Sequence, residues 1–495
     1  MVESDELAVL LHDVEIGRLF RAIDGAGFAY NSNYMDEGEV PLSLSMPLRG
    51  EPPSTAKATA WMKGLLPDNP DTREIMRRET GARSSEPFDL LATRAGHDCA
   101  GAVQFCHPEE ISSLSGRGRA VAWLSSGEMA EIMDLLVAGR ALPNSLPGTR
   151  EFTLAGFQSK IALCWDAEKG WGMPLRGQPS THILKPTIPR AYLPDQAVVE
   201  HLTQRAADAL GIASAFTEIE EFGDVVAIVV TRFDRRQSEG CIARLHQEDM
   251  CQAMGLPPEL RREAANGPSP QQIANLIWAN SRQANHDVEQ FFMALAYNWV
   301  IVGTDAHAKN YGMLLDDTGA ALAPMYDMCA WLPFERDGFN EWDSVEMMMR
   351  IGHDFTVGAA SGERAWAEMG ERMGLDGDEA VDIVLDIADD VAAAFDEAAR
   401  QLPSEFRRLA TVQRLLDRVE DRGRQCGLQV GEGGTDAGPG EWRDEDRGNL
   451  TESTVSPASP TALSECGRIV EHSGEPCRLL QGHEGACSST SRAGW

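Results

Sequence analysis

Positive charge is scarce in this chain. Its 495 residues include 44 Lys and Arg against 77 Asp and Glu, which gives a net charge of −33 at pH 7. Nucleic-acid binding depends on clustered cationic side chains that contact phosphates. The chain alone is therefore predicted not to bind DNA, and a basic partner protein would have to supply any positive surface.

Long apolar runs and paired cysteines are also missing. No apolar run approaches the roughly 20 residues that a membrane-spanning helix needs, and the first ten residues hold three acids and no base, unlike a secretory leader. We therefore expect a cytoplasmic protein without membrane contact. Seven cysteines without short paired spacing are expected to be reduced, mostly buried thiols: they are residues 99, 106, 164, 241, 251, 329 and 426.

The apolar pattern predicts an α+β fold with a β-containing lobe followed by a helical lobe. Residues 6–20 indicate strands, residues 41–49 alternate with period two as a strand does, and residues 55–95 are typical of helices. From about residue 270 nearly every periodic segment is helical. The predicted units are an N-terminal α+β subdomain (1–110), the remainder of the N-lobe (111–270), an all-helical C-lobe (271–427) and a disordered polar linker (428–465).

Two segments carry the residues that phosphoryl transfer needs. Asp305 and Asn310 stand in GTDAHAKN with the D-x4-N spacing of a catalytic base and a metal-binding amide in kinases. Asp327, in APMYDM, stands where a second Mg²⁺ carboxylate is expected. An Asx-rich turn at a helix end is the structural alternative for D-x4-N alone, and the second aspartate favours the metal interpretation.

The lobe upstream offers a phosphate-contacting lysine. Lys185 ends a strand-like run, THILKPT, and Glu200 lies fifteen residues later on a predicted helix, the spacing of a Lys–Glu pair that orients such a lysine. The small-residue turn 154–160, LAGFQSK, precedes both and suits a phosphate cover. His307 is interpreted either as a group that orients Asp305 or contacts phosphate, or as a structural histidine. The segment 231–236, TRFDRR, follows a buried strand where a connector between lobes presents backbone groups to adenine.

These motifs resemble, as an ordered set, the HipA family of serine/threonine-protein kinase toxins of type II toxin–antitoxin systems. The resemblance covers residues 1–425 and implies a bilobal protein-kinase-like fold. The matching segments, in family order, are PLSLSMPL, GLLPDN, GHDCAGAVQF, AGFQSK, THILKP, TRFDRR, RLHQEDMCQAMGLP, TDAHAKNYG and APMYD.

The resemblance implies a role for each matching residue. Asp305 becomes the catalytic base, Asn310 and Asp327 the Mg²⁺ ligands, and Lys185 the lysine on the ATP phosphates. The remaining ATP-site residues implied are Ala155, Gly156, Gln158 and Lys160 of the phosphate turn, the backbone of Thr231 and Phe233 beside adenine, and Asp234, Gln247 and His307. Thr153 stands where the family carries an autophosphorylated serine, whose modification ejects the loop and silences the kinase. Phe157 and Ser159 depart from the usual Ala and Glu of this loop.

Family membership also implies partners and a target. Characterised members phosphorylate an aminoacyl-tRNA synthetase and are neutralised by a small helix-turn-helix antitoxin, so DNA contact is expected only through that antitoxin. The expected cofactors are ATP and Mg²⁺. Two alternatives stay open: a small-molecule kinase, because such kinases share the D-x4-N chemistry, and a non-catalytic co-repressor that works only through its antitoxin.

The C-terminal tail is additional to the family. Cys466, Cys477, His483 and Cys487 stand as C-x10-C-x5-H-x3-C, and three thiolates with one imidazole satisfy tetrahedral Zn²⁺. The segment 466–487 is similar to short Cys/His tails on some bacterial proteins. Without the C-x2-C spacing of a zinc knuckle, a disordered tail with free thiols is the alternative.

Overall fold

The structure, a computed structural model, describes residues 5–431 except residues 24, 115–118, 144–145, 147–150, 190–192, 239–240, 335–341 and 361. The Cys/His tail at 466–487 and nearly all of the linker at 428–465 lie outside these residues. The last described helix runs to Gly431, so the first four residues of the predicted linker are helical.

The N-terminal subdomain is a four-stranded antiparallel sheet with short helices against it. The two-residue turn at His12 and Asp13 has positive φ at both positions, as a tight hairpin turn requires. The sheet order is β3-β2-β1-β4. The elements are β1 (Glu6–Leu11), β2 (Val14–Ala22), β3 (Gly25–Tyr30), α1 (Ser32–Glu37), α2 (Thr55–Gly64), α3 (Pro70–Thr80), α4 (Pro87–Leu91) and β4 (Val103–Cys106).

The segment 41–49 is not a strand, although its alternation predicts one. It forms a tight turn closed by a bridge between Ser43 and Met46. The hydroxyls of Ser43 and Ser45 donate to the carbonyl of Gln252, and the backbone N–H of Leu44 donates to the Glu248 carboxylate. These partners lie about two hundred residues away in sequence, so the segment's own pattern carries no sign of them.

The rest of the N-lobe is a six-stranded antiparallel sheet with a helix on each face. Its order is β5-β7-β6-β8-β10-β9. The apolar side of α6 packs on one face and buries Phe152 and Leu154, while α7 covers β10 on the other. The elements are α5 (Ile111–Leu114), β5 (Ala120–Trp123), α6 (Ser126–Val137), β6 (Ile161–Asp166), β7 (Gly170–Leu175), β8 (His182–Pro186), α7 (Gln196–Ala209), β9 (Thr217–Phe222), β10 (Val225–Thr231), β11 (Arg235–Ser238) and β12 (Cys241–Arg244).

The C-lobe is helical apart from a short sheet beside the site. Strands β14 and β15 form a hairpin that pairs with β13, a departure from the all-helical prediction. Helix α10 is buried along most of its length, with Phe292 and Trp299 packed edge-on against Trp366. The elements are β13 (His246–Asp249), α8 (Met250–Ala253), α9 (Pro270–Asn280), α10 (Ala284–Val300), β14 (Gly312–Asp316), β15 (Gly319–Leu322), α11 (Glu363–Met373), α12 (Gly377–Gln401), α13 (Ser404–Arg407) and α14 (Ala410–Gly431).

A buried ionic network joins the N-terminal subdomain to the connector at 231–236, called the hinge below. The Asp98 carboxylate is fully buried and pairs with three guanidinium groups, those of Arg232, Arg235 and Arg244, at 2.9 to 3.4 Å. Asp234 pairs with Arg232 at 2.7 Å and accepts the backbone N–H of Gly101. The hinge is therefore anchored to the subdomain before any ligand binds.

The described cysteines agree with the expectation of free, mostly buried thiols. Cys99, Cys106, Cys164, Cys251 and Cys426 are buried free thiols, and Cys329 is a half-buried one. Within the described ranges, no helix is long and apolar enough to cross a bilayer.

Candidate active site

The catalytic loop, residues 303–311, is set by the end of α10. The backbone N–H of Gly303 donates to the Asn298 carbonyl at 2.7 Å, and Val302 before it takes a positive φ of 54°. Asn310 Nδ2 then donates to the backbone carbonyl of Asp305 at 2.8 Å. The D-x4-N spacing is thus closed by a hydrogen bond within the loop, and 43% of the Asp305 side chain stays exposed.

Asp327 lies opposite this loop. It takes a left-handed backbone conformation with φ of 61°, which few residues other than glycine adopt. Burial alone would raise the pKa of the Asp327 carboxyl, but the ammonium groups of Lys185 and Lys160 hold that pKa well below its usual range. The side chain is therefore charged, as the predicted role of an oxygen ligand for Mg²⁺ requires.

Lys185 bridges two carboxylates. Its Nζ lies 2.7 Å from Glu200 Oε1 and also contacts Asp327 Oδ1. Burial acts to lower the pKa of Lys185, and the two carboxylates raise it above its ordinary value instead. The Lys–Glu contact expected from the spacing is present, while its role in orienting the lysine on phosphate stays a prediction.

The phosphate loop, residues 154–160, lies between the N-terminal subdomain and the end of β8. Gly156 has a positive φ of 103°, and a Cβ there would lie 2.5 Å from Lys160 Nζ, so only glycine suits this position. Lys160 Nζ donates to the Ala155 carbonyl at 2.9 Å, and Gln158 Nε2 donates to the Pro186 carbonyl at 3.4 Å. Burial lowers the pKa of Lys160.

Thr153, just before the phosphate loop, is fully buried. Its Oγ1 donates to the Leu65 carbonyl at 2.9 Å, and its backbone N–H donates to the Asp98 carbonyl at 3.0 Å. The hydroxyl predicted to be autophosphorylated therefore faces the N-terminal subdomain and not the catalytic loop.

The three hinge residues predicted to lie near the nucleotide make different contacts. Phe233 stacks on Tyr326 with ring centroids 5.7 Å apart, so its backbone runs beside the segment that carries Asp327. The backbone N–H of Thr231 already donates to the Phe216 carbonyl at 2.9 Å. The Asp234 carboxylate is held by Arg232, Arg235 and the backbone N–H of Gly101, so it anchors the hinge to the subdomain. Its place in the nucleotide site stays a prediction.

Two buried polar atoms near the loops have no hydrogen-bond partner among the described residues. They are Gln247 Oε1 and His307 Nδ1. Burial, with Arg261 and Lys309 nearby, lowers the pKa of His307 to about 3, so its imidazole is neutral at physiological pH. Buried polar atoms in native proteins are rarely left unsatisfied, which makes both atoms candidate contacts for a bound molecule.

One small pocket brings the predicted catalytic and metal residues together. Asp305, Asn310 and Asp327 all line it. The rest of its lining is Asn298, Gly303, Ala306, Tyr311, Met325, Met328 and Cys329. The donor set fits Mg²⁺, which prefers a few carboxylate or amide oxygens and keeps room for water and phosphate. No cluster of three or more His, Cys, Asp or Glu that would hold a metal by itself occurs in the described part of the chain.

Comparison with known proteins now decides the family. Residues 7–106 match the model of the HipA N-terminal domain, and residues 152–395 match that of the HipA-like C-terminal domain. A putative kinase of Sinorhizobium fredii, Y4mE, is 34% identical over 336 residues, which cover 67% of this chain and 77% of that protein.

The chain belongs to the HipA family.

Two further relatives agree. The serine/threonine-protein kinase toxin HipA of Shewanella oneidensis is 26% identical over 65% of this chain and 74% of that protein. A solved complex of HipA, HipB and operator DNA from Shewanella oneidensis matches in fold with a TM-score of 0.69 at 24% identity, over 84% of this chain and 97% of that chain. As a HipA family member the chain is a kinase, and the predicted α+β, kinase-like fold class is confirmed.

Several residues of the site were not found from the sequence. Asp68, Arg261 and Lys309 form an ionic cluster beside the catalytic loop. The matching segment GLLPDN contains Asp68, but nothing in its local pattern indicates a partner 241 residues away.

Proposed function

We propose that the chain is an ATP- and Mg²⁺-dependent protein serine/threonine kinase that acts as the toxin of a HipA-like toxin–antitoxin system. The observation that carries this proposal is the single pocket lined by Asp305, Asn310 and Asp327, with Lys185 held beside it by Asp327 and Glu200. This is the minimum set for phosphoryl transfer: a base, oxygen ligands for the metal and a phosphate lysine.

The base has one task in this reaction. Asp305 accepts the proton of the substrate hydroxyl as that oxygen bonds to the γ-phosphorus. The bond from the γ-phosphorus to its bridging oxygen then breaks and ADP leaves with the electron pair. Asn310 and Asp327 would hold Mg²⁺, which neutralises charge on the phosphate oxygens.

ATP binding falls to the groups around the pocket. The phosphate loop and Lys185 lie on the phosphate side, and the hinge backbone at Phe233 faces adenine. Gln247 Oε1 and His307 Nδ1 are the buried polar atoms that a bound nucleotide would satisfy. Since neutral imidazole nitrogen either donates or accepts, His307 suits a ribose or phosphate contact through whichever tautomer the site selects.

The target and the partners follow from the family. We propose a translation component such as an aminoacyl-tRNA synthetase as the protein substrate, in the cytoplasm. The net charge of −33 supports a small basic helix-turn-helix antitoxin as the partner. The related Shewanella oneidensis structure contains HipA with HipB and operator DNA, and DNA contact through the antitoxin is proposed here by analogy.

The test is incubation of the full chain with γ-labelled ATP, Mg²⁺ and cell lysate, followed by separation of proteins from metabolites. Label on serine or threonine of a protein supports the proposal. Label only on metabolites would favour a small-molecule kinase. If the chain transfers no label in the presence of Mg²⁺ but still binds an antitoxin fully, the non-catalytic co-repressor is favoured.

A further inference from the structure

The connection between α2 and α3 holds the phosphate loop by backbone contacts. The Leu65 carbonyl accepts the Thr153 hydroxyl at 2.9 Å, and the Asp68 backbone N–H donates to the Gly156 carbonyl at 3.0 Å. Pro67 and Gly156 also form a bridge in parallel orientation. The N-terminal subdomain therefore sets the position of the glycine that turns this loop.

The side chain of Asp68 contacts the catalytic loop, residues 303–311. Its carboxylate accepts from Lys309 Nζ at 2.7 Å and lies 3.7 Å from Arg261 Nη1. Only 10% of the Asp68 side chain and 4% of the Lys309 side chain are exposed. Burial acts to raise the pKa of Asp68, but Lys309, Arg261 and His307 hold it below its usual value, so the carboxylate is charged.

Lys309 belongs to the catalytic loop, directly before Asn310. Its carbonyl accepts the Tyr326 hydroxyl at 2.7 Å, and the neighbouring backbone N–H of Ala308 donates to the Arg261 carbonyl at 3.0 Å. The Lys309 side chain contacts Asp68 of the subdomain, while its backbone is part of the loop that carries Asp305 and Asn310. Lys309 therefore links the position of the subdomain to the position of this loop.

We infer that Asp68 is a positioning residue for phosphoryl transfer. Its backbone fixes the phosphate loop and its carboxylate fixes the catalytic loop, so one residue sets the distance between the γ-phosphate and the base. This inference rests on the roles proposed for Asp305, Asn310 and the phosphate loop. It makes the N-terminal subdomain part of the catalytic geometry.

The variant Asp68→Asn separates the two contacts, since it keeps the backbone N–H and removes the charge. We expect kcat to fall by about 10- to 100-fold, the range that a small misplacement of reacting groups causes. The KM for ATP should change by less than about threefold, because the contact with Gly156 survives. Asp71→Asn, the same change at an exposed position of α3, is the matched control and should leave both constants unchanged.

A double variant tests the pathway of the effect. If Asp68 acts through Lys309, Asp68→Asn combined with Lys309→Gln should lose no more kcat than the more damaging single variant, whereas independent effects would multiply. A folded Asp68→Asn protein with wild-type kcat, or with raised KM and unchanged kcat, would overturn the inference.

Amide hydrogen exchange gives a readout that does not need activity. In Asp68→Asn the backbone N–H groups of Ala308 and Asn310 should exchange faster, while those in the middle of α12 keep their rates. If the wild-type chain transfers no phosphate, the proposed function fails, and the exchange data still decide this inference. Unchanged exchange at both N–H groups would contradict it.

Discussion

Buried charges near the hinge are compensated by opposite charges at short range. Asp98 is surrounded by Arg232, Arg235 and Arg244, and burial, which would raise its pKa, is outweighed by these guanidinium groups so that the pKa is lowered. Ser180 Oγ donates a further hydrogen bond to Asp98 at 2.6 Å. Removing a buried charge of this kind lowers the free energy of unfolding strongly, because its charged partners stay buried and cannot be solvated by water instead.

Asp98→Asn should therefore lower the free energy of unfolding by about 3–5 kcal/mol, since it leaves Arg244 buried without its carboxylate partner and leaves Arg232 and Arg235 to share Asp234. Denaturant unfolding followed by tryptophan fluorescence measures the change. Asp316→Asn removes one partner of an exposed pair with Arg282 and should cost less than about 1 kcal/mol. Equal losses in the two variants would contradict this account of the network.

His182 illustrates the opposite case, a half-buried group that is held neutral. It packs edge-on against Trp171 with ring centroids 5.3 Å apart, and burial lowers its pKa to about 4 from an ordinary 6.5. Between these two pH values the unfolded chain binds a proton that the folded chain does not. Stability therefore falls as the pH drops through this window.

His182→Phe keeps an aromatic ring and removes the titrating group. The free energy of unfolding measured at pH 8 and at pH 4.5 should differ less in the variant than in the wild-type chain. The change in the free energy of unfolding between the two pH values should be smaller in the variant by about 1 kcal/mol, a figure that allows for the partial exposure of His182 to solvent. An unchanged difference between the two pH values would mean that His182 is not held neutral.

Among the elements, those with local patterns were predicted and those with distant partners were not. The strands of 6–20, the helices within 55–95 and the buried strand β10 were predicted because their periodicity lies within the segment itself. The turn at 41–49 depends on residues far away in sequence, and so does the pairing of β14 with β13. Asp305 and Asp327 were found by spacing, whereas Asp68 became visible only through its contact with Lys309.

The phosphate loop is the element on which the predicted autoregulation through Thr153 would depend. The Thr153 hydroxyl is buried against the Leu65 carbonyl. A kinase can therefore phosphorylate it only after the loop has moved away from this position. A phosphate would have no room at this buried position, where the hydrogen-bond partners of Thr153 are the carbonyls of Leu65 and Asp98 and not cations. Modification is therefore expected to keep the loop displaced.

Thr153→Asp tests this expectation, because a carboxylate facing the Leu65 carbonyl is strongly disfavoured when buried. We expect ATP affinity to fall by at least about tenfold, measured by titration calorimetry. Thr153→Val removes only the hydrogen bond and should bind ATP within a few-fold of the wild-type chain, at a stability cost of about 1 kcal/mol. Similar ATP affinity in both variants would show that the loop does not depend on this contact.

For the whole molecule, the subdomain, the hinge and the two loops form one connected system. Asp98 ties the subdomain to the hinge, Leu65 and Asp68 tie it to the phosphate loop, and the Asp68 carboxylate continues to Lys309. The fold class could be predicted because ordered motifs resemble a family. The tie between subdomain and active site could not, because charge pairs between distant segments leave no local pattern.

Asp305 is proposed to be the base of an ATP-dependent protein kinase. Asp305→Asn keeps the shape of the side chain and removes its basicity, so ATP affinity should stay within about threefold while phosphoryl transfer falls by about 100-fold or more. Asp316→Asn, at an exposed position away from the pocket, is the control.

The decisive measurement is single-turnover transfer from γ-labelled ATP to protein, with ATP affinity determined on the same samples. We predict transfer by the wild-type chain and by Asp316→Asn, and loss of transfer with retained ATP binding in Asp305→Asn. Equal rates of protein labelling by wild-type chain and Asp305→Asn would contradict the claim.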